Sequence, residues 1–298
     1  MAYHEMQKRG GKTYNYIVKT MRSGRKWRKA RKYIGGGILS AKKIKEEIRN
    51  FENAQRQRHL TEAQAEAIEN TKLRFDAYLK KGGLANFNEW FFTELTYNSN
   101  AIEGTSLSLR ETSMIINEGI VPKNTSLREV NEAKNHKEAL DFLLECNGEV
   151  TEDLILKIHS IILKNIDDNN AGKYRKVPVF IAGAHVKFPH YSRVPQLARK
   201  LVKWHRSARK SMHPLECAAI FSAKFVSIHP FVDGNGRCSR LLMNYILKKS
   251  GYPEINIYVK DRNNYLKAVR KANDEDYGML VDFLFRTLQK NYKFLNEA

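Results

Sequence analysis

Cysteine is scarce in this chain: three in 298 residues, Cys146, Cys217 and Cys238. An odd number at wide spacing excludes a disulfide framework or a zinc ligand set, and fits small buried side chains in a reducing compartment; cytoplasm is the expected location. There is no apolar run of about 18 residues, so no membrane-spanning helix is expected and no membrane partner. Lys8, Arg9 and Lys12 have no apolar segment behind them, so the start does not read as a secretory signal. Carboxylates are sparse early on. Residues 1–50 hold 15 Lys and Arg against 3 Glu, a net +12, while residues 51–298 hold 37 against 29, a net +8. A segment that basic can touch nucleic acid through counterion release, or can simply be a solvated face.

What the chain does have is a dense stretch at residues 229–240, His-Pro-Phe-Val-Asp-Gly-Asn-Gly-Arg-Cys-Ser-Arg. Upstream, Cys217, Ile220, Phe221, Lys224, Phe225 and Ile228 recur at helical spacing. Pro230 disfavours the α conformation at His229 and should end that helix there. Gly234 and Gly236 allow positive φ and close backbone approach. Leu241, Leu242, Tyr245 and Ile246 then mark a second helix, stopped at Gly251. The stretch is therefore a tight loop opening onto a helix N-terminus, whose free N–H groups and partial positive charge suit a phosphate. Arg237 and Arg240 share a face of the first turn, where cations oppose the helix dipole unless an anion sits among them. Asp233 suits an N-cap, or a Mg²⁺ ion held against phosphate oxygens. His229 is a candidate general base for a hydroxyl nucleophile.

These twelve residues match the signature of the Fic (Fido) family, His-Pro-Phe-x-Asp-Gly-Asn-Gly-Arg-x-x-Arg, at every fixed position. The resemblance extends from about Phe87 to Phe285. It implies a protein adenylyltransferase that moves AMP from ATP to a Ser, Thr or Tyr hydroxyl, with ATP and Mg²⁺ bound and pyrophosphate released. It further implies that His229 deprotonates the hydroxyl and Asp233 holds Mg²⁺. Gly234, Asn235 and Gly236 would form the anion nest, Arg237 would bind phosphate, and Arg240 the γ-phosphate. Ser99-x-x-x-Glu103-Gly104 resembles the family's inhibitory helix, in the class that carries it ahead of the core. Carried over, Glu103 would pair with Arg240 and block the γ-phosphate subsite. From the residues alone, Glu103 sits in a last helical turn with Gly104 at C′.

The rest of the chain reads as mainly α. Residues 11–35 suggest a small β unit: Tyr14, Tyr16 and Val18 alternate, Ser23-Gly24 turns, a basic strand carries Trp27 and Tyr33, and Gly35-Gly36-Gly37 breaks it off. Its interleaved cations and aromatics could make residues 1–35 a nucleic-acid ribbon. Residues 40–79 read as helical, with Ser40 as an N-cap and Thr61-x-x-Gln64 as a capping box. Lys81-Gly82-Gly83 marks a boundary, giving units 1–38, 39–83 and 84–298. Helices follow at 127–145 and 151–166, with Glu132, His136 and Glu138 read as a solvated face and His159 as a core-edge residue. Residues 172–188 read as a hairpin, Val177, Val179 and Ile181 turning at Ala182-Gly183-Ala184. By resemblance this is the family's flap, which clamps the target chain and borders the nucleotide at Phe180, Ile181, Ala182 and Gly183. Tyr265 and Asn273 would lie against adenine and ribose, and residues 277–296 close the core.

The expected fold is thus a Fic-type helical core with a β-hairpin flap, preceded by a helical segment and a small basic β unit. The expected function is protein adenylylation restrained by Glu103, with self-modification and a homodimer compatible with it. Removal of AMP, or nucleic-acid binding through the N-terminus, are the alternatives. Family members that transfer phosphate carry Lys at the second Gly; Gly236 disfavours that branch.

Overall fold

Alternating side chains through Tyr14, Tyr16 and Val18 do form a strand in the computed structural model, which describes residues 2–23, 26–56, 59–180 and 186–296. The chain divides into two compact units, Met1–Arg58 and His59–Ala298.

In the first unit β1 (Tyr3–Arg9), β2 (Lys12–Ser23) and β3 (Lys26–Gly36) make an antiparallel sheet in the order β1-β2-β3. β1 extends the two strands expected over 11–35. Gly10 and Gly11, at φ 53° and 72°, supply its turn. The triple glycine does not break the unit off, because Gly35 and Gly36 stay paired to β2. Buried Asn15, beside a bulge, donates from Nδ2 to the carbonyls of Gly35 (3.1 Å) and Gly37 (2.8 Å). α1 (Ala41–Arg56), with Ser40 Oγ accepting from Lys43 N, covers one face of the sheet. Ile17 and Ala2 are buried there with Ala30, Ile34 and Ile48. The small sheet gains its core from α1, so the compact unit runs to Arg58 instead of closing at residue 38.

The second unit is helical: α2 (Glu62–Tyr78), α3 (Leu84–Glu103), α4 (Leu109–Ser113), α5 (Leu127–Glu145), α6 (Glu152–Leu163), α7 (Val194–Ala208), α8 (Pro214–Ile228), α9 (Asn235–Lys249), α10 (Arg262–Ala272) and α11 (Gly278–Asn291). Thr61 and Gln64 complete the capping box at the start of α2. α2 passes through a widened turn, with Gly82 at φ 91°, into α3. α8 and α9 form the central pair and are buried along most of their length. α3, α5 and α6 pack around the N-terminal end of α9, and α10 and α11 against α8. One large apolar cluster from Ile68 to Tyr292 holds these helices together apart from α4, beside which Leu107, Ile115, Val130 and Ala133 form a smaller cluster.

The hairpin expected over 172–188 is not formed among its described residues, none of which is in a strand. Arg175 takes the place of a ladder. Its guanidinium donates to the carbonyls of Val177 (3.1 Å), Pro189 (2.6 Å) and His229 (2.7 Å), so one buried cation clips both limbs to the loop before α9. Pro178 also lacks a donor that strand pairing would need. Phe180 is 88 % exposed; Ile181, Ala182 and Gly183 lie outside the described residues. Among the described residues no helix is long and apolar enough to cross a membrane.

Candidate active site

Pro230 stops α8 where the sequence indicates. His229 follows Ile228 as the C-cap in a left-handed conformation, φ 48°, and Gly234, φ 76°, turns the chain into α9. A left-handed His is strained, and the surrounding structure has to impose it. Two clasps do so. Asn235, 4 % exposed, donates from Nδ2 to Phe231 O (2.9 Å) and accepts at Oδ1 from Phe231 N (3.0 Å), closing the loop on itself. Its side chain is thus committed to the loop. His159, fully buried on α6, stacks on Phe231 with ring centroids 3.6 Å apart. His159 Nε2 meets the Asp233 carbonyl at 3.1 Å, and Nδ1 accepts from Gly172 N at 3.0 Å. That pattern makes Nε2 the protonated nitrogen. Burial pulls the His159 pKa down to about 4 and keeps the ring neutral. Beneath the loop there is no room: a Cβ on Gly234 would come within 2.9 Å of Leu163 Cδ2.

His229 itself stacks on Phe188 at 4.2 Å. Burial lowers its pKa to about 4, with the Val226 carbonyl pulling the other way. A neutral imidazole at pH 7 is the form that accepts a proton.

Asp233 does not cap α9; Gly234 occupies that position. Gly234 has positive φ and no side chain, so the carboxylate turns back instead, with Oδ1 accepting from Gly234 N at 2.5 Å. It pairs with Arg128 of α5 at 2.6 Å and Arg237 at 3.3 Å. Burial raises its pKa, but Arg237, the Gly234 N–H and Arg128 outweigh this, and the net shift is down. Asp233 is therefore an ionised oxygen donor whose side chain is 41 % exposed. Mg²⁺ is held by one or two carboxylates plus substrate phosphates, and this donor fits that role once Arg128 swings away. Among the described residues no group of three His, Cys, Asp or Glu could hold a metal unaided.

The two motif arginines are almost fully buried. Arg237, its side chain 3 % exposed, lies between Asp233 and Glu132 of α5, the latter at 3.2 Å. Arg240, 4 % exposed, donates from Nε to Ser99 Oγ (3.0 Å), and from Nη2 to Ser99 O (2.6 Å) and Glu103 Oε1 (2.7 Å). Burial favours the neutral guanidine, but Glu103 and Tyr265 together more than compensate and the Arg240 pKa is raised. Glu103 is the last residue of α3, and Gly104 follows at φ 107° with its N–H on Asn100 O. Arg262 Nε donates to Ile102 O at 2.7 Å and holds this helix end in place. The Glu103 carboxylate also covers Gly236: a Cβ there would lie 2.1 Å from Glu103 Oε1 and 3.1 Å from Arg240 Nη1. The helix start thus already carries an anion, supplied by the chain.

Two expectations change. Glu132 and His136 are not on a solvated face. Glu132 bridges Arg128 and Arg237, and His136 is 1 % exposed, its Nδ1 3.1 Å from Thr96 Oγ1. Four residues apart, they point the same way, and α5 turns that side toward α3 and α9. Tyr265 is 3 % exposed and packs on Phe283, beside Arg240, so it presents no open ring face to a base. Asn273 Oδ1 accepts from Ser227 Oγ at 2.6 Å and borders a cleft of about 340 Å³ with Leu197, Trp204 and Ala272. Arg128, Glu132, His159 and Arg175 complete the site from outside the motif; of these the sequence singled out Glu132, as part of a solvated face, and His159, as a core-edge residue, and gave neither a place at the loop.

These features define a helical fold that presents an anion-binding loop with a neutral imidazole beside it. Residues 149–247 match the Fic/DOC family, and the chain carries a domain of that family. It is 34% identical over 203 residues to the protein adenylyltransferase Fic of Nematostella vectensis, covering 65% of this chain and 46% of that protein. It is 35% identical over 195 residues to the protein adenylyltransferase fic-1 of Caenorhabditis elegans, covering 63% of this chain and 38% of that protein. The chain thus spans less than half of these curated relatives. Among solved structures, Fic-1 (aa134–508) from C. elegans superposes with a TM-score of 0.69 at 28% identity, over 79% of this chain and 71% of that one. A Fic domain containing signaling protein from Bacteroides thetaiotaomicron VPI-5482 gives 0.70 at 26% identity, over 76% and 95%.

Proposed function

We propose that this protein transfers AMP from ATP to a hydroxyl side chain of a protein, and that Glu103 restrains the reaction. One observation carries the reading: the Glu103 carboxylate sits on Arg240 and over Gly236, at a helix start built to receive a phosphate. A substrate phosphate would take over this position. In the reaction the hydroxyl oxygen attacks the α-phosphorus, the bond to the bridging oxygen of the β-phosphate breaks, and pyrophosphate leaves. The hydroxyl proton passes to neutral His229, whose Nδ1 faces the protein interior, leaving Nε2 to receive it. Arg237 and the N–H groups of the α9 start stabilise charge on the phosphates. Mg²⁺, held by Asp233 with the nucleotide, would neutralise further phosphate charge. The named activity of the relatives supports the same reaction class.

The test is ATP labelled in turn at the α- and the γ-phosphate, incubated with the protein alone and with a cell lysate. Protein-bound label from the α-position only, lost in His229→Ala, is expected. Transfer of the γ-label, or undiminished labelling by His229→Ala, would remove the assignment.

A further inference from the structure

The cations of the second unit are unevenly spread. Residues 169–215 hold eleven Lys and Arg and no Asp or Glu, whereas the rest of 59–298 holds 24 against 28, a net −4. The acid-free stretch takes in the segment 172–188 and α7. Some of its cations have partners on neighbouring elements: Arg199 meets Glu152 at 3.8 Å, and Arg206 and Arg209 meet Glu149. Lys176, Lys187 and Arg193 are exposed and meet no carboxylate among the described residues. The backbone sets these three beside the catalytic loop. Lys176 follows Arg175, whose N–H donates to Pro230 O at 3.0 Å and whose guanidinium donates to His229 O. Lys187 precedes Phe188, which stacks on His229. Arg193 comes two residues after Tyr191. Val179, Phe180, Phe188 and Tyr191 line a groove of about 480 Å³ together with Arg175 and Lys187.

We infer that the protein segment brought to His229 for modification is acidic, with Asp or Glu on both sides of its acceptor hydroxyl. A groove rimmed by one sign of charge concentrates the opposite sign and selects partners by complementarity. The nucleotide does not account for these cations. Arg237 and Arg240, which would meet its phosphates, come from α9 and are nearly buried, whereas Lys176, Lys187 and Arg193 stand in solvent beside the groove. A polypeptide fits better than a nucleic acid. Bases along a single strand need successive open ring faces. Here Phe188 is already stacked on His229 and Tyr191 lies against His190, and the walls between the cations are otherwise Val177, Pro178, Val179 and exposed Phe180. Apolar and acidic side chains alternating along a peptide would match that surface. The choice of this groove rests on the AMP-transfer reading, which brings the acceptor to His229; peptide binding is measured without nucleotide, so the two can fail separately.

The test is fluorescence anisotropy of the full chain with three labelled 15-residue peptides, each with one central Thr, flanked by Asp, by Asn or by Lys. At 50 mM KCl the Asp peptide should bind about tenfold tighter than the Asn peptide, and the Lys peptide more weakly than either. An exposed ion pair is worth a factor of about 1.4–5 in affinity. Lys176→Ala/Lys187→Ala/Arg193→Ala should therefore weaken the Asp peptide about tenfold and leave the affinity for a non-hydrolysable ATP analogue unchanged. Lys267→Ala/Arg270→Ala/Lys271→Ala, which removes equal charge from α10, should leave the Asp peptide unchanged. With α-labelled ATP and the Glu103→Gly protein, label should go to the Asp peptide first, and the Lys176/Lys187/Arg193 variant should raise KM for it while sparing kcat. Equal binding of the Asp and Asn peptides, an equal loss in the α10 variant, a matching loss of ATP-analogue affinity, or tighter binding of a single-stranded RNA of the same net charge would each overturn the inference. Selective binding of the Asp peptide with no transfer of label would support it and remove the AMP-transfer reading instead.

Discussion

Replacing Glu103 by Gln keeps the shape of the side chain and removes its charge, which makes it the sharpest probe of the site. Opposite charges about 4 Å apart at an effective dielectric of about 20 attract by about 4 kcal/mol. Glu103 is 42 % exposed, so solvent screening reduces the usable part to about 1–2 kcal/mol. Any phosphate that takes Arg240 must first displace this contact. Its loss should therefore tighten ATP binding by about 5- to 30-fold, since 1.4 kcal/mol is a factor of ten. Stability should fall by no more than about 1–2 kcal/mol, because Arg240 keeps Ser99 Oγ and Ser99 O, and relief of a carboxylate that opposes the helix dipole at the end of α3 offsets part of the loss. Glu103→Gly should release the site further by removing the side chain over Gly236. Calorimetric titration with a non-hydrolysable ATP analogue and the rate of α-labelled self-modification measure both effects. Unchanged affinity and unchanged labelling in both variants would refute the restraint.

Other consequences are as direct. Gly234→Ala places a Cβ at φ 76° within 2.9 Å of Leu163 Cδ2, and should cost about 2–4 kcal/mol in urea unfolding; a loss below 0.5 kcal/mol would show that the loop is slack. Glu132→Gln leaves the buried Arg237 guanidinium with Asp233 as its one carboxylate, and should cost about 1–3 kcal/mol by the same measurement; no loss would mean the Glu132–Arg237 pair contributes nothing. Burial depresses His136 to about 3 and His159 to about 4. Between these values and the unfolded value of about 6.5 the unfolded chain binds more protons, so stability rises with pH across this window and is lost as pH falls below about 6.5. Denaturant midpoints at pH 7 and pH 5 check the sign, and equal midpoints would contradict it.

Much of the site was legible because its parts are local. Pro230 and Gly234 act through backbone rules that hold in any fold, so the helix–loop–helix at 214–249 followed from a dozen residues, whereas Gly236, inside α9, is required by the approach of Glu103. The end of α3 at Glu103-Gly104 followed likewise from capping chemistry. The N-terminal unit was half legible: alternation revealed the paired strands, but α1 supplied the apolar cover that made them a unit. The segment 172–188 was misjudged because alternating Val177, Val179 and Ile181 satisfy a strand pattern. What holds its described residues is Arg175, a cation that donates to carbonyls of both limbs and of the loop before α9.

The sequence by itself determined the anion-binding turn, its imidazole and the helical character of the second unit, since bond rotation, proline and glycine sterics and short-range periodicity govern those. Only the tertiary structure decided which charges meet. The family resemblance implied that Glu103 meets Arg240, 137 residues away, but no spacing rule does; Arg128 with Asp233, 105 residues apart, and Glu132 with Arg237 had no sequence pattern behind them at all. Long-range partners are chosen by helix packing, which depends on the shape of the whole core.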